Sequence, residues 1–442
     1  MSLPYVRAMN KAAIVAPRNW PAGILIVGAP GTGKTSVMVR HYQNALLDAG
    51  AAVVLIDPKR TLARRALALT PPWIRKRVWY LNLARPAFGM SPLQITARDQ
   101  AIADLVTSGL RDVLERQIFQ ASRDAINGAV RGALALARHE GRQATLEDTR
   151  DLLLWANGDL RDRVLAALDA TPGADRIHRY FAIELPDEMQ HNGGRTMDRL
   201  RAPRDKLDGL IQADSLRVFF DHRTEKPIAE IVRDRDVLIV DADLGKAGEE
   251  SSELAIALIL RMLSRALRAQ MDLEEHERSR VHLLIDESAQ VLHESTIEMF
   301  EQHREGGLTP AIAAHYTAQF GDEAVLAGVL ALLANRFMFR SADPDDGERM
   351  AKIARAVLAA TRDTPESRAR QRVGPEAIRD LRQFSAICAL LDSTGGRAPA
   401  FIGRSYPMQE FGTFGGYIPY HLKLLAERVE PYPEDLRESR LA

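Results

Sequence analysis

The run Gly28-Ala29-Pro30-Gly31-Thr32-Gly33-Lys34-Thr35 constrains this chain more than any other feature, because the motif works only between a strand and a helix. Ile24 to Val27 supplies the strand, and a helical stretch follows from about Ser36. Glycines there let the backbone wrap a phosphate with its N–H groups, and the helix N-terminus adds positive dipole. Lys34 is placed to reach the β and γ phosphates, and the Thr35 hydroxyl to ligate magnesium. Gly28, Ala29, Pro30, Gly31, Thr32, Gly33, Lys34, Thr35 and Ser36 are therefore the predicted nucleotide-binding residues, with ATP and Mg2+ as cofactors. The alternative, a glycine-rich turn with no ligand, is disfavoured by the complete motif and its flanks.

Short β-branched or leucine-rich runs alternate with helix-like stretches elsewhere, which predicts an α/β fold with a mainly parallel sheet. The predicted strands are Ile24 to Val27, Val53 to Ile56, Val78 to Leu81, Val237 to Val240, Val281 to Ile285, Ala311 to Ala314, Phe337 to Phe339 and Ile387 to Leu391. If they are parallel, Asp57, Asp241, Asp286 and His315 stand near one crevice at their carboxyl ends. Between 95 and 213 alanine, leucine and arginine recur at helical spacing without a convincing strand, so an all-helical domain is expected to interrupt the core. The expected domains are a discontinuous core, 1–94 with 214–402, the insertion 95–213, and a tail 403–442 rich in proline.

The balance of 59 basic against 59 acidic residues in 442 excludes a global attraction for polyanions, so such a partner has to be held by a local patch. The single Cys388 cannot form an intramolecular disulfide and fits a reducing compartment. The longest apolar stretch, Ala324 to Ala334, is well short of the roughly 18 to 20 residues a bilayer span needs. No membrane helix and no secretion signal are read, and the expected location is cytoplasmic, or peripheral at the inner membrane through a partner.

A second run, Val281-His282-Leu283-Leu284-Ile285-Asp286-Glu287, is a buried-type strand ending in two carboxylates. After a P-loop, Asp286 is predicted to hold the magnesium shell and Glu287 to orient and deprotonate the attacking water. An isolated Asp-Glu after a strand is also a common helix N-cap. His315, at the end of the next core strand, is the leading candidate to sense the γ phosphate, with Gln319 second; a satisfied structural histidine is the alternative. Arg340 closes a further strand and suits an arginine finger reaching a neighbour's phosphate, or else an ion pair with Asp343, Asp345 or Asp346. Arg304 is the other candidate finger.

In their order these segments resemble the HerA/FtsK superfamily of ring ATPases, and within it the TraD/TraG-like type IV coupling proteins. The likeness is carried by Val53-Val54-Leu55-Ile56-Asp57-Pro58-Lys59, by Val78-Trp79-Tyr80-Leu81-Asn82-Leu83 with Met90-Ser91-Pro92-Leu93, and by Val237-Leu238-Ile239-Val240-Asp241 with Leu244-Gly245-Lys246-Ala247-Gly248-Glu249-Glu250. The acid-tipped strand, Arg304-Glu305-Gly306-Gly307-Leu308 and Phe339-Arg340 complete the set, over most of residues 20 to 400. The resemblance implies a RecA-like core with an inserted all-α domain, in a homohexameric DNA motor whose arginine is supplied across the subunit interface. Family members often carry glutamine where this chain has His315. Only 27 residues precede Gly28, where coupling proteins place membrane helices and HerA-type helicases a small β domain, so membrane-embedded or relaxosome partners are expected to attach it, or the chain is shortened.

Two arginine-rich segments, Arg261, Arg265 and Arg268, and Arg195, Arg199, Arg201, Arg204 and Lys206, suit sequence-tolerant contact with DNA phosphates; the alternative for each is a solvated surface. The leading reading is an ATP-driven DNA translocase of the conjugative coupling type. A type IV secretion ATPase handling protein, a HerA-like DNA-processing helicase, and a ring scaffold in which Glu287 is idle are the competing readings.

Overall fold

In the computed structural model, residues 6–405 are described except 9–10, 14, 96, 114–119, 213, 222, 289–290, 322, 342, 360–373 and 399. The expected tail beyond Ser405 lies outside them. The described residues divide into two compact units, one within 6–80, 231–241 and 266–405, the other within 81–230 and 242–265.

The first unit is built on a mixed eleven-stranded sheet: β1 (Val6–Ala8), β2 (Lys11–Ala13), β3 (Ile24–Val27), β4 (Ala51–Asp57), β5 (Val78–Asn82), β6 (Val237–Asp241), β7 (Arg280–Ile285), β8 (Leu308–Ala314), β9 (Asn335–Phe339), β10 (Ser385–Ala389) and β11 (Phe401–Ser405). Their spatial order is β2-β1-β11-β10-β9-β3-β8-β7-β4-β6-β5. From β9 through β6 the strands pair parallel, whereas β2, β1, β11 and β10 pair antiparallel up to β9. The central strands β3, β4, β6 and β8 are buried at every residue, the mark of a sheet covered on both faces. That is why their sequences are continuous apolar runs rather than alternating ones.

All eight expected strands are present, and β1, β2 and β11 are additional. The last of these takes in Gly403 and Ser405, residues assigned from sequence to an irregular tail. Strand β8 begins three residues earlier than expected, at Leu308, and includes Pro310. A proline lacks the N–H a central ladder needs, and it is accommodated because pairing with β3 starts only at Ala311. In β9 the buried Arg336 donates to the carbonyls of Leu333 (3.1 Å) and Leu330 (2.5 Å), and burial lowers its pKa to about 10.

The second unit is helical. Its main helices are Asp99–Val113, Gln120–His139, Leu146–Leu152, Gly158–Asp169, Leu185–Gln212 (kinked at Asn192) and Asp214–Asp221. Thr145 and Asp148 form a reciprocal capping box at the start of the third. Gly109 packs against Leu258, where a Cβ would lie 2.6 Å from a leucine methyl. Among the described residues no helix is long and apolar enough to cross a membrane.

One buried cluster of the first unit makes its stability depend on pH. His41 and His282 are fully buried with ring centroids 5.4 Å apart, and Trp20 stands 5.1 Å from His282. Burial depresses both imidazole pKa values, and His282 depresses that of His41 further. Burial pushes the Asp48 carboxyl up, but hydrogen bonds from His282 and Arg280 outweigh it and hold it well below the usual carboxylate range. The folded histidines thus stay neutral where unfolded ones, near 6.5, take up a proton. The unfolded state binds more protons below that value, so stability is full above it and declines as pH falls through it. The urea midpoint is expected to be lower at pH 5.5 than at pH 7.5, and His41→Leu to flatten that difference; an unflattened slope would refute the assignment.

Candidate nucleotide-hydrolysis site

The loop between β3 and the helix α1 (Lys34–Leu46) closes over its own backbone. The Gly28 N–H donates to Ala314 O (3.2 Å), the Ala29 N–H to Arg340 O (2.8 Å) and the Thr32 hydroxyl to Ala29 O (2.7 Å). Gly33 has φ of +123°, and a Cβ there would lie 2.9 Å from the Phe339 ring, so neither the conformation nor the space admits a side chain. Among the described residues the N–H groups of Gly31, Thr32 and Gly33 donate to no backbone carbonyl, which leaves a nest of donors at the start of α1. Thr35 is half-buried and Ser36 buried on the first turn.

Lys34 Nζ donates to Gly28 O (2.6 Å) and Ala29 O (3.2 Å) and lies 2.9 Å from His315 Nδ1. Burial lowers its pKa, against the pull of Asp286 and Glu287. The other ring nitrogen of His315, Nε2, is 2.7 Å from Glu287 Oε1. Burial, then Lys34, depress the imidazole pKa, which favours a neutral ring that accepts from Lys34 at Nδ1 and donates from Nε2 to the carboxylate. Glu287 Oε2 is 2.9 Å from Lys59 Nζ. Glu287 has φ of +48°, a left-handed conformation uncommon outside glycine and concentrated at functional sites.

Register brings the acids together. Asp57 and Asp241 are Cα partners at the ends of β4 and β6, and the Asp286 N–H donates to Ile56 O at 3.1 Å. Asp57 accepts from the N–H groups of Lys59 (2.9 Å) and Ala63 (2.8 Å), at the start of α2 (Thr61–Ala68). Burial pushes its pKa up to about 6, despite those bonds. Asp241 accepts from the Tyr80 hydroxyl (2.5 Å) and faces Arg60 at 3.6 Å. Asp286 is pushed up to about 7, first by burial, then by Asp57 and Glu287. A buried carboxyl short of positive charge, with Asp57 and the adjacent Glu287 among its electrostatic neighbours, is a donor set that fits a hard divalent cation.

The structure thus brings Lys34, His315, Asp286 and Glu287 together. Gln319 is nearby, but its Oε1 accepts from the N–H groups of His315 (2.7 Å) and Tyr316 (3.3 Å), so it shapes the turn carrying His315. Arg340 is exposed, and its carbonyl is tied to the P-loop of its own chain. It pairs with none of the acids that follow it among the described residues: Asp346 accepts from Thr317 N–H (2.7 Å) and hydroxyl (2.6 Å), and Asp343 from the Asp345 N–H (3.0 Å). Arg304 lies in the turn before β8, at the opposite end of the strand from His315. Sequence reasoning missed Lys59 as a partner of Glu287. It missed also the segment before β10, where Gln383 Nε2 donates to Gly31 O (3.1 Å) and the Phe384 N–H to Thr32 O (2.8 Å).

No family model matches the sequence, and no curated protein does. Solved structures match over nearly the whole chain. The plasmid coupling protein TrwB with a non-hydrolysable GTP analogue superposes with a TM-score of 0.64 at 16% identity, covering 94% of this chain and 92% of that one. The chain has the fold of TrwB. TrwB with ADP and Mg2+ matches equally, at 0.64 and 16% over 93% and 91% of the two chains. VirB4 of Thermoanaerobacter pseudethanolicus matches at 0.55 and 12%, over 95% and 98%. The coupling-protein fold is the RecA-like core with an all-α domain that the motif order implied.

Within this fold, Lys34→Ala is expected to abolish nucleotide binding or turnover. Glu287→Gln should retain ATP and lower turnover by roughly 10²- to 10⁴-fold, the range for a positioned general base. Equilibrium binding of a fluorescent ATP analogue, beside phosphate release, separates the two; wild-type release by Glu287→Gln would remove that residue from the site.

Proposed function

We propose that this chain is an ATPase of the conjugative coupling type, hydrolysing ATP at the subunit interfaces of a ring and using turnover to move DNA. The observation that carries the reading is the bridge from Lys34 through His315 to Glu287, which links the group that grips phosphate to the group that activates water. The coupling-protein fold, found in structures bound to nucleotide analogues and to ADP with Mg2+, supports it. The P-loop N–H groups and Lys34 bind the phosphates, Glu287 takes the proton of the attacking water, and His315 registers the γ phosphate. Thr35 and Asp286 would hold magnesium, which when bound screens charge on the phosphate oxygens. In this reading the core, 1–94 with 214–402, performs turnover, and the helical insertion, 95–213, meets membrane-embedded or relaxosome partners.

A second reading, a type IV secretion ATPase that handles protein, is favoured by how the arginines of the helical unit are used. Arg261 makes a bidentate pair with Asp112 (2.7 Å and 2.7 Å), Lys206 pairs with Glu250 (2.7 Å), Arg204 with Asp205 (2.9 Å) and Arg199 with Glu188 (3.6 Å). These cations are already compensated, which leaves fewer for phosphates; the VirB4 likeness agrees. Phosphate release with and without DNA distinguishes the readings. Stimulation by DNA that falls steeply with salt and varies little among sequences supports coupling, and its absence supports protein handling.

Arg340→Ala is expected to bind ATP nearly normally and hydrolyse it on the order of 10³-fold more slowly, as for other arginine fingers. Mixing Arg340→Ala with Lys34→Ala subunits should restore part of the activity if the arginine acts across the interface. Mixed rings as inactive as either parent would assign it to its own subunit, where its backbone already touches the P-loop.

A further inference from the structure

Both carboxylate oxygens of Glu287 are engaged by cation or ring: Oε1 by His315 at 2.7 Å and Oε2 by Lys59 at 2.9 Å. The same histidine holds Lys34, whose other two bonds go to P-loop carbonyls. Lys34 therefore cannot reach a phosphate and keep its present bonds, and Glu287 cannot accept a proton from water freely while an ammonium sits on it. Lys59 itself is anchored by the backbone bond from its N–H to Asp57, and the next residue, Arg60, adopts φ of +65°. The turn after β4 is thus built to present the lysine, in a conformation that is strained for a side-chain-bearing residue.

We propose that Lys59 is a positioning residue that holds Glu287 in a resting setting until Lys34 leaves His315 for a phosphate. The proposal rests on the ATPase reading above. Loss of the Lys34 contact frees the imidazole to turn, and Glu287, no longer braced on both sides, parts from Lys59 as it moves toward the attacking water. The lysine side chain is 53% exposed, so its ion pair is worth at most about 1 kcal/mol, and release changes rates only about two- to fivefold. A restraint of that size slows idle turnover without preventing hydrolysis.

Acylation of the Lys59 amine by a water-soluble succinimidyl ester, read by peptide mass spectrometry on the full chain, tests the ion pair directly. Labelling in the nucleotide-free wild type is expected to be about two- to fivefold slower than in Glu287→Gln, and to rise to that level when the β,γ-imido analogue of ATP and Mg2+ are added. Equal labelling of wild type and Glu287→Gln, or no rise with a bound analogue, overturns the proposal. In steady state, Lys59→Ala should raise unstimulated kcat about two- to fivefold at unchanged KM, and Lys59→Arg should stay near wild type. An unchanged or lowered kcat in Lys59→Ala overturns it equally. A wild type that neither binds the analogue nor releases phosphate counts against the ATPase reading, while the nucleotide-free comparison of labelling still decides the ion pair.

Discussion

Everything at the site depends on parallel strands that end at one edge. β3, β8, β7, β4 and β6 deliver to that edge the P-loop, His315, Asp286, Asp57 and Asp241, and their register fixes which of these face one another. Three carboxyl groups are buried there, which is costly without compensation. Compensation is partial and specific among the described residues: N–H groups at the start of α2 for Asp57, the Tyr80 hydroxyl and Arg60 for Asp241, and the Glu287 N–H (3.1 Å) and distant Lys34 for Asp286. The least compensated of the three is the one at the tip of the acid-ended strand, which follows from the function proposed for it rather than from packing.

How much of this was legible in the sequence depended on whether the signal was local. The P-loop and the Asp286-Glu287 pair are contiguous, and strands buried on both faces declare themselves as unbroken apolar runs. The strands of the antiparallel end escaped because that signal fails them: β11 alternates between buried and exposed residues, and the edge strand β2 is Lys-Ala-Ala. The contact between Lys34 and His315 joins residues 281 apart and exists only through the adjacency of β3 and β8, so no spacing rule could find it. The arginine segments were readable, but their partners were not. Asp112 lies 149 residues from Arg261 and Glu250 lies 44 from Lys206, and a charged helical face looks the same with or without them.

The net charge of zero conceals this unequal distribution. In the helical unit, cations and anions neutralise each other in pairs that are mostly exposed and individually weak. At the strand ends, Asp57, Asp241, Asp286 and Glu287 stand with Lys34, Lys59 and Arg60 among the described residues, and His315 is biased to its neutral form. Burial pushes the Asp57 and Asp286 carboxyls up, so acids and cations come close to balance there before any phosphate enters. A triphosphate adds negative charge that these groups do not offset, so its binding draws on further cations, of which magnesium would be one. Arg340 is the exposed cation whose backbone is bonded to the P-loop, and no acid among the described residues neutralises it. Arg340 is placed to add to the charge that magnesium held by Thr35 and Asp286 would supply, and the mixing of subunits tests whether it serves its own subunit or the next.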